Sequence, residues 1–330
     1  MPIMETVTVD ESQFPEAVQR DLLECWRRRE VLPKFHYETY RQARHWLALH
    51  EAHSPARRDP ECAAIYDRAF AATGNMLTEA GARVVGLGCG GGQKDARLIQ
   101  ILASHKAPLS YLPCDASMPL VLTAQHAVEA VLPGICCDPL VCDLGRCEDL
   151  AQSIDRVAGQ TGLPGRRIFT FFGMIPNFDP GFIFPRLRKA LGAEDWLLCS
   201  ANLAPGQNYR AGVEAVLPGY DNDLTREWLF VFLNDCGVER DHGEIRFGIE
   251  EDGRGFLRIV ANFCIAKRIE VAVLGEKFEF KEGDKILLFY SYRYQPAQVE
   301  GLLRGQGMEA AQQWMAPSVE EGVFLCRRHS

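Results

Sequence analysis

The chain of 330 residues has no surplus of positive charge. Its 36 lysines and arginines face 44 aspartates and glutamates, a net charge of −8, and the basic residues form no stripe. Such a surface cannot neutralise phosphates, which excludes nucleic acid and anionic membranes as partners. Any apolar run long enough to span a bilayer is missing, and the start of the chain, residues 1–10, has no basic region followed by an apolar stretch. A cytoplasmic protein is expected. The twelve cysteines include no Cys-x-x-Cys pair and the eight histidines no helical pair beside a carboxylate. The usual zinc spacings are therefore absent, and no metal is expected. Spread through expected strands and helices, the thiols read as reduced small hydrophobes. There is no internal repeat and no low-complexity segment. At 47% apolar residues, the chain can bury a full core and is long for one domain.

What is present is a β-branched run emptying into a glycine-rich turn, Arg83-Val-Val-Gly86-Leu-Gly88-Cys89-Gly90-Gly-Gly92. Glycines let backbone turn sharply and lie close to a ligand where side chains would collide. A second strand, Leu109 to Asp115, ends in an acid that can accept both hydroxyls of a ribose. A third, Pro139 to Asp143, ends in another that can accept an adenine amino group. The string Gly86-x-Gly88-x-x-Gly91 also fits a dinucleotide fingerprint, and a glycine turn without a ligand stays open. Two acids on successive strand ends and a closing hairpin, Met308 to Trp314 and Gly322 to Arg327, favour S-adenosylmethionine (SAM) over NAD. Cys89 could be a reactive thiol, or simply the small residue such a loop tolerates.

Phe14, Val18, Leu22 and Trp26 fall at helical spacing, with charges on the opposite face, and a second helix is expected around 38–50. Ser54 to Pro60 reads as a linker. A helix over 61–80 leads into strands alternating with helices as far as Asn202, the pattern of a parallel sheet covered on both faces. Beyond it come helical stretches to Val213 and over 223–236. Four β-rich runs between 244 and 280 follow, with hairpin-like turns that favour an antiparallel sheet. The fold class is thus α/β, a doubly wound Rossmann-like sheet with a discontinuous α+β lid. Residues 60–208 and 292–330 would form the cofactor domain and 1–59 with 209–291 the lid, with the substrate in the cleft between.

Seven motifs in order carry a resemblance: Leu32-Pro-Lys-Phe-His-Tyr37, the Gly86 loop with Lys94 behind it, Tyr111 to Ser117, Phe171 to Pro180, Gly219-Tyr220-Asp-Asn, Arg258-Ile, and Tyr290-Ser291-Tyr-Arg-Tyr294. Over most of its length the chain resembles the histidine-specific SAM-dependent methyltransferase family. The resemblance implies a class I methyltransferase sheet. It also implies SAM held by Gly86, Gly88, Lys94, Asp115 and Asp143, and an amino acid gripped at its ammonium and carboxylate ends by Asn177 and Tyr220. Asn177 follows a strand at the carboxyl edge, where an amide offers donors and an acceptor. It could instead cap the next helix, and Tyr220 could be a packed residue of the insertion.

The departures from the family concern the side-chain pocket, where Ala261, Phe289 and Ser291 are the candidate substrate-binding residues. Ser291 is kept. Phe289 stands where a glutamate would grip an imidazole, Ala261 where a methionine fills the histidine pocket, and His53 and Ser54 where paired tyrosines are expected. A site without its polar partner discriminates against the polar ring, so histidine is not the expected substrate. Phe289 could alternatively point into the lid core. Methyl transfer to nitrogen is an in-line displacement that mainly needs aim and a neutral amine. Tyr37, Tyr220 or a water would favour that form or take its proton. The expected function is SAM-dependent N-methylation of a small amine or amino acid with an aromatic or apolar side chain, as in secondary metabolism. An O- or C-methyltransferase and an inactive SAM-binding protein remain the alternatives.

Overall fold

The computed structural model describes residues 6–158 and 166–329; the first five residues of the chain start discussed above lie outside them. The strands Ala82–Leu87 and Leu109–Asp115 are buried along nearly their whole length, as continuous apolar runs are when helices cover both faces of a parallel sheet. Across the main sheet the order is Leu140–Val141, Leu109–Asp115, Ala82–Leu87, Arg166–Phe171, Trp196–Asn202, Glu321–Arg328 and Met308–Met315. In chain order these are the third, second, first, fourth, fifth, seventh and sixth strands. The first five run parallel, and the terminal hairpin docks antiparallel on Trp196–Asn202. This is the doubly wound Rossmann-like sheet that the sequence leads one to expect, with its order reversing at the glycine-loop strand.

Each face of the sheet buries its own apolar cluster. Ile183, Phe184, Leu187, Val299 and Leu303 pack on one, and Ile65, Phe70, Leu98, Ile99 and Val128 on the other. A short strand that the sequence did not reveal, Thr8–Val9, extends the sheet beside Leu140–Val141. The N-terminal segment therefore begins on the edge of the main sheet before its helix joins the helices and strands above.

Above the carboxyl edge lies a second layer. Its three-stranded antiparallel sheet runs Lys285–Arg293, Leu257–Ile265, Gly243–Glu251. Packed on it are the helices Pro15–Arg28, Tyr40–His53 and Asp223–Asp235, around Trp26, Phe35, Trp228, Phe232, Phe263 and Leu288. The expected single antiparallel sheet is in fact two. Ile269–Val273 and Glu276–Phe280 make a separate hairpin whose turn residues, Leu274 and Gly275, both have positive φ, the twist a two-residue hairpin needs. Its inward residues Ile269, Val271, Val273 and Phe280 cap the lid core.

Two local expectations change. On the first helix Val18, Leu22 and Trp26 pack on the lid core as expected, but the buried face extends to Ala17, Asp21 and Cys25, and Phe14 is 45% exposed. Asp21 is accommodated inside by Lys34 at 2.6 Å, and both side chains are buried. The expected linker at 54–60 contains a helical turn, Pro55–Arg58, started by its proline.

Candidate functional site

Between the carboxyl edge of the parallel sheet and the lid lies a cavity of about 690 Å³. Its floor is the glycine loop. Gly88 and Gly90 have φ of 62° and 52°, and a Cβ on either would strike Met174 or Trp46. The Gly90 N–H donates to Asp115 Oδ2 at 3.1 Å, and the Ser117 N–H to Asp115 Oδ1 at 3.0 Å. Burial raises the Asp115 carboxyl to about 6; these N–H donors act against it, and the nearby Asp143 carboxylate adds to it. A glycine cradle with two carboxylates at neighbouring strand ends is a donor and acceptor set that fits an adenosine cofactor.

The structure brings together most of the sequence-expected residues. Gly88, Lys94, Asp115, Asp143, Tyr37, Asn177, Tyr220, Phe289 and Ser291 all line this cavity, and so do His53 and Ser54. Gly86 and Ala261 do not. A Cβ at Gly86 would lie 2.3 Å from Asp95 Oδ2, so this glycine makes room for a buried carboxyl beneath the loop rather than for a ligand. Asp95 is held by Tyr111 Oη and Thr170 Oγ1, each at 2.7 Å, and burial lifts it to about 6. Ala261 is fully buried opposite Phe289 in the strand ladder, a packing position of the lid core.

The acids and the lysine are more engaged than their motif suggests. Asp143 ion-pairs with the buried Lys34 at 3.3 Å and accepts the Gly145 N–H at 2.8 Å. Lys94 donates to Tyr66 Oη at 2.6 Å, lies over the Tyr66 ring, and pairs with Glu321 at 3.4 Å. Burial works to raise Glu321, but Lys94 and the Tyr66 hydroxyl hold its carboxyl below the ordinary value. Cys89 lies at the cavity, and burial drives its thiol well above the usual range, the reverse of a reactive thiolate.

Opposite the loop, rings form a continuous wall. Tyr37 meets Trp46 and Trp228, each at 5.6 Å between centroids; Trp228 meets Phe289 edge-on at 5.6 Å, and Phe289 meets Tyr220 at 6.3 Å. Phe289 thus faces the cavity while its back touches the lid core. Burial, with Asp115 nearby, pushes the Tyr37 phenol up, so it stays protonated. His36 is a core histidine, bonded to the Leu288 carbonyl at 2.7 Å, and burial lowers it to about 4.

Asn177 ends a short 3₁₀ turn beyond the strand Arg166–Phe171, and its Nδ2 donates to the Gly173 carbonyl at 3.3 Å. It caps no helix, since Asp179 occupies the N-cap of the next one. Tyr220 Oη contacts Ser291 Oγ at 3.0 Å, and Asn202 Nδ2 reaches both at 3.4 Å. Arg293 donates through Nη2 and Nε to the same phenol, at 2.8 and 3.2 Å. Sequence reasoning missed Asn202, Arg293, Trp46 and Trp228. For Arg293 a signal existed, because it stands two residues beyond Ser291 on one strand and so shares its face.

The model of the family described as "Histidine-specific methyltransferase, SAM-dependent" matches residues 59–222 and 255–328, well over half of the chain. The histidine N-alpha-methyltransferase of Mycolicibacterium smegmatis is 25% identical over 268 residues, covering 77% of this chain and 78% of that protein. Among solved structures, the 1,6-didemethyltoxoflavin-N1-methyltransferase of Burkholderia thailandensis, with its substrate and S-adenosylhomocysteine bound, is similar at 10% identity and a TM-score of 0.41. It covers 88% of this chain and 89% of that one. The CcbJ methyltransferase of Streptomyces caelestis is similar at 13% identity and a TM-score of 0.38, over 81% of this chain and 89% of that one. Neither structural likeness bears on the substrate.

Proposed function

The chain belongs to the histidine-specific, SAM-dependent methyltransferase family, and from that premise we propose that it methylates the nitrogen of a small amine or amino acid whose side chain is aromatic or apolar, and not histidine. The observation that carries the reading is the ring wall Tyr37–Trp46–Trp228–Phe289–Tyr220 on the cavity. A ring or aliphatic group packed on such a wall gains roughly 25 cal/mol per Å² buried, whereas an imidazole N–H facing Phe289 finds no acceptor.

In this reading Gly88, Lys94, Asp115 and Asp143 form the cofactor side, and residues 60–208 with 292–330 act as the cofactor domain beneath a lid. SAM supplies an electrophilic methyl group at the carboxyl edge of the sheet. Asn177, Tyr220 and Ser291 would hold and orient the acceptor amine in the cavity, which is the aim that transfer of that methyl group needs. Tyr37 remains a protonated phenol, so it orients the amine as a donor or dipole and does not act as the base.

A titration with SAM and S-adenosylhomocysteine, followed by mass-spectrometric turnover against amines and amino acids, tests the proposal. Micromolar cofactor binding with N-methyl product from aromatic or apolar acceptors supports it. Cofactor binding with product on oxygen or carbon alone, or with no product from any acceptor, overturns it.

A further inference from the structure

Away from the cavity, three metal-ligating side chains meet inside the edge of the main sheet. Asp10, Cys142 and Cys147 each offer one ligand atom, and these atoms all lie within 4.8 Å of one another. All three residues are buried, and none lines the cavity. The edge strand Thr8–Val9 brings Asp10 to the group, because it pairs with Leu140–Val141 and the Asp10 N–H donates to the Val141 carbonyl at 2.9 Å. A turn closed by the Cys147 N–H on the Asp143 carbonyl, at 2.8 Å, returns Cys147 toward Cys142. Local spacings cannot show such a group, since Asp10 lies 137 residues before Cys147.

Asp10 is a buried anion without a cation. Burial works to raise its carboxyl, but hydrogen bonds from Ser153 and Ser12 hold it below the ordinary value, so it is ionised. Among the described residues no lysine, arginine or histidine nitrogen lies within 4.0 Å of it. Buried charges are ordinarily paired or bound to metal, and a carboxylate beside two thiols is a donor set for a thiophilic divalent cation. The spacing suits zinc. Tetrahedral bonds of ordinary zinc length place sulfur and oxygen ligands about 3.6 to 3.8 Å apart, and Cys147 Sγ stands 3.7 Å from Asp10 Oδ2. Ser153 Oγ donates to the same oxygen at 2.5 Å, too close to share an ion with it but placed to orient the carboxylate. Cys114, whose thiol hydrogen-bonds that of Cys142, is a further donor at the edge of the group.

We propose that Asp10, Cys142 and Cys147 form a structural site for one Zn²⁺ ion, apart from the methyl-transfer cavity. Binding makes two Zn–S bonds and one Zn–O bond, and the two thiol protons leave to solvent. The ion ties the edge strand Thr8–Val9 to the segment that carries Asp143. The site does not depend on the identity of the methyl acceptor.

The experiment uses the full chain, freed of any affinity tag, stripped with a chelator and kept reduced with a phosphine. Co²⁺ serves as the first probe, because its thiolate bonds give a near-ultraviolet charge-transfer band, and Zn²⁺ as the second. One Co²⁺ should bind per chain with that band, Zn²⁺ should displace it, and Zn²⁺ should raise the midpoint of thermal unfolding. Cys147→Ser and Asp10→Asn should each weaken Zn²⁺ binding by more than the roughly 10- to 100-fold that loss of an outer partner costs. Cys136→Ser and Cys199→Ser, which alter thiols outside the group, should leave it unchanged. If Cys147→Ser fails to fold by circular dichroism, Asp10→Asn decides, since it keeps the size of the side chain. The absence of a charge-transfer band in the unmodified protein would overturn the proposal. So would binding that survives undiminished in Asp10→Asn, or binding lost in Cys136→Ser or Cys199→Ser, either of which marks an adventitious ion only.

Discussion

Burial raises the Asp115 carboxyl to about 6, although a ribose needs it ionised as an acceptor. Above that pH the carboxylate is charged; as pH falls through about 6 it takes up a proton and loses acceptor strength. S-adenosylhomocysteine affinity, measured by titration between pH 5 and 8, should therefore weaken toward pH 5, and Asp115→Asn should flatten the profile. The stability contribution runs the other way. A raised native value means the folded state holds a proton that the unfolded chain has released, so this group's stabilisation is present at low pH and is lost as pH rises through about 6. Asp115→Ala at neutral pH should cost about 1.5 to 3 kcal/mol of cofactor binding. Asn177→Ala and Tyr220→Phe should instead lower turnover tenfold or more, about 1.4 kcal/mol of transition-state stabilisation, while cofactor titration stays near the parent value.

At the scale of elements, the loop Leu32 to Tyr37 and the first helix are tied to the cofactor edge by one buried lysine. Lys34 bridges Asp21 on Pro15–Arg28 and Asp143 at a strand end, and Gln13 accepts from it at 3.1 Å. Removing one partner leaves buried charge behind, so Lys34→Met should destabilise the fold by about 3 to 5 kcal/mol in urea denaturation and weaken cofactor binding as well. Lys34→Met combined with Asp21→Leu should recover much of the stability. This bridge explains what the sequence concealed. Periodicity marked Phe14, Val18, Leu22 and Trp26 as one face, but a single partner supplied from 13 residues away brings Asp21 inside and leaves Phe14 half exposed. The glycine loop, the alternation of strands and helices, and the closing hairpin were legible because local apolar runs and glycines encode them. The Thr8–Val9 strand was not, since two residues carry no periodicity and pair only through the distant Leu140–Val141. That Gly86 lies off the cavity was hidden for a similar reason: the residue that demands its missing Cβ, Asp95, comes from the following helix.

At the scale of the whole molecule, one wall of the cavity belongs to the sheet and the other to the lid; in the proposed reading the sheet edge carries the cofactor residues with Asn177, and the lid rings face the acceptor. Cofactor chemistry can stay constant on the sheet edge while the lid rings set the acceptor. Phe289→Glu should accordingly shift preference toward histidine without changing cofactor affinity, by restoring an acceptor for an imidazole N–H. Ala261→Met should add little, because position 261 is fully buried opposite Phe289 in the strand ladder and does not line the cavity. The most direct test of the account is kcat/KM of the unmodified protein for tryptophan, phenylalanine and histidine with saturating SAM. The aromatic amino acids should exceed histidine by an order of magnitude or more, about 1.4 kcal/mol. Turnover of histidine that equals or exceeds theirs would contradict it.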